Sequence, residues 1–127
     1  MENLDYLFEK GLALSEQCLY DDAIECYEKV IELNPESDNA YYNMGLAYYQ
    51  KSNPEYDNAI MCFEKAIEIE PYKFESYDKC IEIYKSLGLN ENAKRIEGLR
   101  NIAYHSSLIE KSLETIKVSM KTVCHFI

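Results

Sequence analysis

The sequence predicts an all-α fold: a superhelix of three stacked helical hairpins, closed by a further helix at the C-terminal end. Three observations predict it. Apolar residues recur at i, i+1, i+4, i+7 and i+8, the stripe of an amphipathic helix. The 127 residues contain only four Gly and three Pro, few breakers for a turn-rich β fold. A set of marker residues returns every 34 to 36 positions, the signature of a repeat array. With 47% hydrophobic residues, one domain of this length can bury a core without disulfides or metal.

The first unit shows how each hairpin is built. In "DDAIECYEKVIELNP", Ala23, Ile24, Tyr27, Val30 and Ile31 form one apolar helix face. Asp21 or Asp22 is placed to accept from free N–H groups at its start. Asn34-Pro35 ends it, because a residue before proline is pushed out of helical geometry. The second unit repeats the pattern: Ala23, Cys26, Tyr27 and Pro35 return as Ala59, Cys62, Phe63 and Pro71, each 36 residues later. Gly11 and Gly45 are 34 apart, as are Ala59 and Ala93, while Tyr41 and Tyr48 return as Tyr77 and Tyr84 after 36. Leu14 to Ala23 and Tyr84 to Ala93 are nine residues, but Tyr48 to Ala59 is eleven. The middle unit therefore carries two extra residues near Pro54, in the turn between its helices. Neither helix of a unit can bury its stripe alone, whereas stacked units can.

These residues resemble the tetratricopeptide repeats, whose unit has an aromatic, Leu-Gly and Tyr in its first helix and Ala, Phe and Pro in its second. The second unit fits best, with Tyr41, Met44-Gly45, Tyr48, Ala59, Phe63, Ala66 and Pro71. The first fits from Gly11 onward, with Leu7 in the aromatic slot and Lys10 where Leu is usual. The third keeps Tyr77, Cys80, Tyr84, Gly88 and Ala93, but has Ile81 for the glycine and Glu97 for the aromatic, and lacks the proline. The expected units are about 4–37, 38–73 and 74–107, followed by a solvating helix at 108–127. Gly11 and Gly45 are expected to let the helix bearing Ala23 or Ala59 come close. Ile81 denies that approach to Ala93, so the third pair is expected to be wider or differently angled. Tyr6, Tyr41, Tyr48, Tyr77 and Tyr84 are assigned to packing.

The resemblance implies that the first helix of each pair lines a concave face. Helical phase then places Asp5, Phe8, Glu9, Leu12 and Glu16 of the first unit on that face. Asn39, Tyr42, Asn43, Leu46, Tyr49 and Gln50 follow from the second, then Glu75, Asp78, Lys79, Glu82 and Lys85 from the third. The candidate partner-binding groove is Phe8, Leu12, Tyr42, Asn43, Leu46, Tyr49, Lys79 and Glu82, apolar in its middle and acidic at its edges. It suits a protein or peptide with apolar anchors and positive charge. Packing on adjacent helices is the competing role, balanced against binding at Leu12 and Leu46. One branch of the family clamps the carboxylate of chaperone tails with Lys and Asn residues. Asn43 and Lys79 match that clamp, but Phe8, Leu12 and Glu75 do not, and Glu75 repels a carboxylate. A chaperone co-factor of that type is not expected.

The C-terminal segment has its own pattern. Leu99, Ile102, Ser106, Ile109, Leu113, Ile116, Met120, Val123 and Ile127 are separated by alternating steps of 3 and 4, a heptad seam interrupted by Ser106. One reading is a single long helix that dimerises. The favoured one takes "SLIE" at 107–110 as a capping box that starts a new helix near Leu108, folded back on the third unit. Leu113, Ile116, Met120 and Val123 would then serve self-packing or an oligomer contact. Any surplus of the stripe would meet the chain's own groove, a second copy or a partner. Cys124-His125-Phe126-Ile127 resembles a prenylation box only formally, since His is not aliphatic and a terminal Ile is atypical.

The net charge of −10 is uneven, because Lys111, Lys117 and Lys121 outnumber the acids of residues 101–127 and leave −11 on residues 1–100. That field repels nucleic acid and anionic lipid and attracts a basic partner, or simply keeps the chain soluble. The five cysteines include no C-x-x-C, and the two histidines have no metal-ligand spacing, so neither metal nor cofactor is expected. No catalytic constellation or phosphate loop is present, and a non-enzyme is expected. "MENLDYLFEKG" lacks the features of a signal peptide, and no apolar run approaches membrane-spanning length, so cytoplasmic residence is the default. The expected function is a protein–protein adaptor or scaffold that seats a partner segment in the groove. The rivals are a homo-oligomeric scaffold organised by the tail, and a regulatory subunit or assembly chaperone of another protein.

Overall fold

The computed structural model describes residues 3–126, with backbone alone at 126. It consists of six helices: α1 (Leu4–Glu16), α2 (Tyr20–Leu33), α3 (Asp38–Gln50), α4 (Tyr56–Ile69), α5 (Glu75–Ser86) and α6 (Asn90–Phe126). They form three hairpins, α1–α2, α3–α4 and α5–α6, with α2 also packed on α3 and α4 on α5. This is the all-α helical repeat superhelix that the period predicts. The α1–α2 and α5–α6 turns occupy 17–19 and 87–89, whereas the α3–α4 turn occupies 51–55. The two extra residues therefore sit where the spacing places them.

The short turns share one device. Cys18 (φ 61°) and Gly88 (φ 74°) occupy equivalent positions and adopt the left-handed conformation. The next residue then closes back: Leu19 N–H donates to Leu14 O at 2.9 Å, and Leu89 N–H to Tyr84 O at 2.8 Å. Side chains cap α1 and α3, where Asn3 Oδ1 accepts from Tyr6 N and Ser37 Oγ accepts from Ala40 N. α2 and α4 have no side-chain cap. Asp21 and Asp22 lie in the first turn of α2 instead, next to its positive end, and Asp21 takes Lys51 at 2.8 Å.

Packing gives the expected close approach its detail. A Cβ on Gly11 would lie 2.6 Å from Tyr27 Cε1, and one on Gly45 would lie 2.8 Å from Phe63 Cε1. The glycines thus make room for a buried aromatic ring carried by the same helix that bears Ala23 or Ala59. In the third hairpin both partners change together. Ile81 stands at the glycine position and is buried, while Glu97 stands at the ring position and pairs with Lys85 at 3.0 Å. The third hairpin thus has a branched side chain at the glycine position and no ring opposite it, so the two departures from the repeat occur together. Among the tyrosines assigned to packing, Tyr77 and Tyr84 are buried and Tyr41 and Tyr48 half-buried, but Tyr6 is 52% exposed, with Lys10 Nζ 5.9 Å from its ring centre.

The C-terminal segment departs most from expectation. No new helix begins near Leu108 and none folds back: α6 runs unbroken for 37 residues. Ser107 does not cap. Its hydroxyl donates to Tyr104 O at 2.7 Å, a back-bond that a serine makes within a helix. Glu110 does not reach back either, but accepts from Tyr72 Oη at 2.7 Å. Neither Pro nor Gly interrupts residues 99–126, so nothing in the backbone forces a stop. The boundary at 107/108 is therefore not a structural one. Ile127, the last residue of the predicted seam and of the formal prenylation box, lies outside the described residues.

Candidate binding groove

The first helices of the hairpins, α1, α3 and α5, present the predicted groove residues. Each apolar one is half-buried, with its inner side on the core and its outer side in solvent. Phe8 meets the Tyr27 ring at 5.9 Å between centroids, Tyr42 meets Phe63 at 5.6 Å, and Tyr49 meets Tyr56 at 6.0 Å. Leu12 packs with Phe8 on the cluster around Ala23, Tyr27 and Met44, while Leu46 joins Tyr42 and Tyr49 on the cluster around Phe63 and Tyr77. The apolar floor thus serves the core and faces outward at once.

The structure brings the α3 and α5 residues together. Tyr49 Oη donates to Glu82 Oε1 at 3.2 Å, and Lys79 Nζ lies 3.3 Å from Glu82 Oε2. Burial pushes the Tyr42 phenol up, Lys79 opposes that shift, and Glu75, Asp78 and Glu82 add to it. Burial and then Glu82 push the Tyr49 phenol up as well. Both rings are therefore neutral hydroxyls in an acidic setting. Asn43 stands apart, its amide donating to Asn39 O at 2.8 Å within its own helix.

Two clefts notch the end of the groove where α3 and α5 begin. One, of about 250 Å³, is lined by Asp38, Asn39, Tyr42, Lys73, Glu75 and Ser76. The other, of about 200 Å³, lies between α1 and α3 and is lined by Leu4, Asp5, Phe8 and Asn39 among others. The cations at this face are paired internally: Lys73 with Asp38, Lys79 with Glu82 and Arg100 with Asp78. Asp5 and Glu75, at equivalent places in units one and three, face solvent beside these clefts.

Sequence reasoning missed two features. On another face of α3 and α4, Tyr41, Met44, Tyr48, Asn58, Met61, Cys62 and Lys65 line an apolar cleft of about 360 Å³. The i, i+3, i+7 run of Tyr41, Met44 and Tyr48 signals that face. The other feature is an aromatic brace, with Phe74 6.0 Å from Tyr104 and Tyr72 bonded to Glu110, which ties α6 to the loop before α5. Its residues are far apart in sequence and off the repeat period, so spacing could not pair them. Beyond the brace, Leu113, Ile116, Met120 and Val123 are all more than half exposed.

Among the described residues no group of His, Cys, Asp and Glu could hold a metal ion, and no helix is long and apolar enough to cross a membrane. Cys62 and Cys80 are pushed up to about 12, by burial first and by the nearby Glu28 and Glu64 carboxylates second. They are the reverse of activated thiols.

Comparison with known proteins agrees with this architecture. The profile of the TPR repeat matches residues 11–52, and that of the tetratricopeptide repeat matches residues 38–73. A crystal structure of MamA superposes with a TM-score of 0.75 at 26% identity, covering 84% of this chain and 61% of that one. A crystal structure of MamA protein gives 0.75 and 26%, covering 84% and 57%. A MamA MSR-1 structure gives 0.69 and 25%, covering 83% and 59%. The chain thus spans less than two thirds of the length of those MamA chains. No curated protein matches its sequence.

Proposed function

Because this chain belongs to the tetratricopeptide-repeat family, whose members are interaction modules, we propose that it seats a segment of a partner protein along the face formed by α1, α3 and α5. The observation that carries this reading is the half-exposed strip of Phe8, Leu12, Tyr42, Leu46 and Tyr49 beside Glu75 and Glu82. Apolar rings fixed by a core give contact area at little cost in entropy, and the neutral phenols add hydrogen bonds. The cations of this face already have carboxylate partners, so its surplus charge is negative. The segment is accordingly basic with apolar anchors. The partner's chemistry is thus proposed to be protein, and the module's own role to be binding without catalysis.

The test is affinity recovery of partners from the native cell, with wild type compared against two variants. Leu46→Ala shortens the strip, and Glu75→Lys/Glu82→Lys reverses the rim without touching the core. Loss of the same partner from both supports the groove. Equal recovery by all three proteins contradicts it.

A further inference from the structure

We propose that two copies of this chain pair through the distal part of α6, as an antiparallel two-helix coil centred between Leu113 and Ile116. This surface is distinct from the groove and does not depend on it.

The first ground is direction. At 100° per residue, the face of α6 that packs on α5 (Ala93, Ile96, Ala103) and the seam (Ile109, Leu113, Ile116, Met120) point about 140° apart. The chain's own repeats therefore stand behind the seam and leave it open. Because α6 is unbroken, the seam cannot turn back into the groove. Ile109, Leu113, Ile116, Met120 and Val123 are between 51% and 61% exposed, an apolar row that a single chain leaves in water.

The second ground is charge, and it selects both the occupant and the direction. With Leu113 and Met120 at a positions and Ile109 and Ile116 at d positions, the flanking e positions hold Glu110 and Lys117. In an antiparallel pair, a meets d and e meets e. Leu113 then lies opposite Ile116, and Ile109 opposite Met120. Ser106, the break in the seam, lies opposite Val123. That same register sets Glu110, one oxygen of which accepts from Tyr72 of its own chain, against Lys117 of the second copy, twice by symmetry. A parallel pair would instead set Glu110 beside His105 and Lys117 beside Ser112, leaving no Glu–Lys pair. It would also bring the two acidic repeat bodies, each of charge −11, to the same end of the coil. The antiparallel pair holds them at opposite ends.

Sedimentation equilibrium on the full chain, over a micromolar concentration series, tests this. The expected mass is twice that of one chain. Leu113→Asp/Ile116→Asp is expected to be monomeric at every concentration, with unchanged helix content by circular dichroism, because both residues are exposed. Lys117→Glu and Glu110→Lys are each expected to raise the dissociation constant roughly tenfold, since two attractive pairs become two repulsive ones. The combined reversal Glu110→Lys/Lys117→Glu is expected to restore it. A monomeric wild type, a dimer that survives Leu113→Asp/Ile116→Asp, or two charge reversals that weaken additively without rescue would each overturn the proposal.

Discussion

α6 has two apolar faces, and they are made differently. The face toward α5 is built from Ala93, Ile96 and Ala103, largely small residues that let helices approach, and it is buried. The face away from it is built from Leu99, Ile102, Ile109, Leu113 and Ile116, all large, and it is exposed. The same chain thus carries a face shaped for its own hairpin and another shaped like a coiled-coil seam. Regular apolar spacing shows that a helix face needs cover. The size of the residues, and what stands beside them, decides who provides it.

The largest expected contrast comes from truncating one residue on each side of this divide. Phe63 is fully buried against Gly45 and Tyr42, so Phe63→Ala should cost about 3–5 kcal/mol. Leu113→Ala, measured at concentrations where the chain is monomeric, should stay within about 0.5 kcal/mol. Urea denaturation of the two variants reads the difference. Comparable losses would mean that residues 108–126 pack on the repeats after all.

Alkaline pH probes the buried thiols. Cys62 and Cys80 are raised from 9.0 to about 12 in the folded chain, so the unfolded chain loses those protons first. Stability is then full below pH 9 and falls as pH rises from there toward 12. The slope is about 1.4 kcal/mol per pH unit for each thiol. Comparing denaturation of wild type and Cys62→Ala across that range should show a flatter slope in the variant. An identical slope would show that Cys62 ionises freely in the fold.

Adding one methyl group should have opposite signs in the two regions. Gly45→Ala meets the Phe63 ring and should destabilise by about 1–3 kcal/mol. Gly98→Ala in α6 meets nothing within 4 Å and should stabilise by about 1 kcal/mol, the helix propensity of alanine over glycine. Melting temperatures that move the same way would mean that the Phe63 ring does not confine Gly45.

How far the sequence reveals the molecule follows the same divide. The hairpins, the long α3–α4 turn and the Gly–aromatic positions are legible because each unit restates the same local requirements. The shared placement of Phe8, Tyr42, Leu46 and Tyr49 is legible by phase, since all come to the face formed by α1, α3 and α5, the face proposed to bind. What period cannot show is which contacts are tertiary. Ile81 and Glu97 look like two separate departures until Gly45 and Phe63 are seen touching. Ser107 and Glu110 read as a capping box because local sequence does not know of Tyr72 and Phe74, which hold α6 straight through that point.

The continuity of α6 underlies the exposed seam, and one distance tests it. Spin labels on Asn101→Cys and Lys121→Cys, with Cys18 and Cys124 replaced by serine and the sample diluted with unlabelled chain, report their separation by pulsed electron resonance. Twenty residues of unbroken helix span about 30 Å, and a narrow distribution near that value is the predicted result. A separation under about 20 Å would contradict a continuous α6, because it requires a break near Ser107 and a helix folded back on the third hairpin.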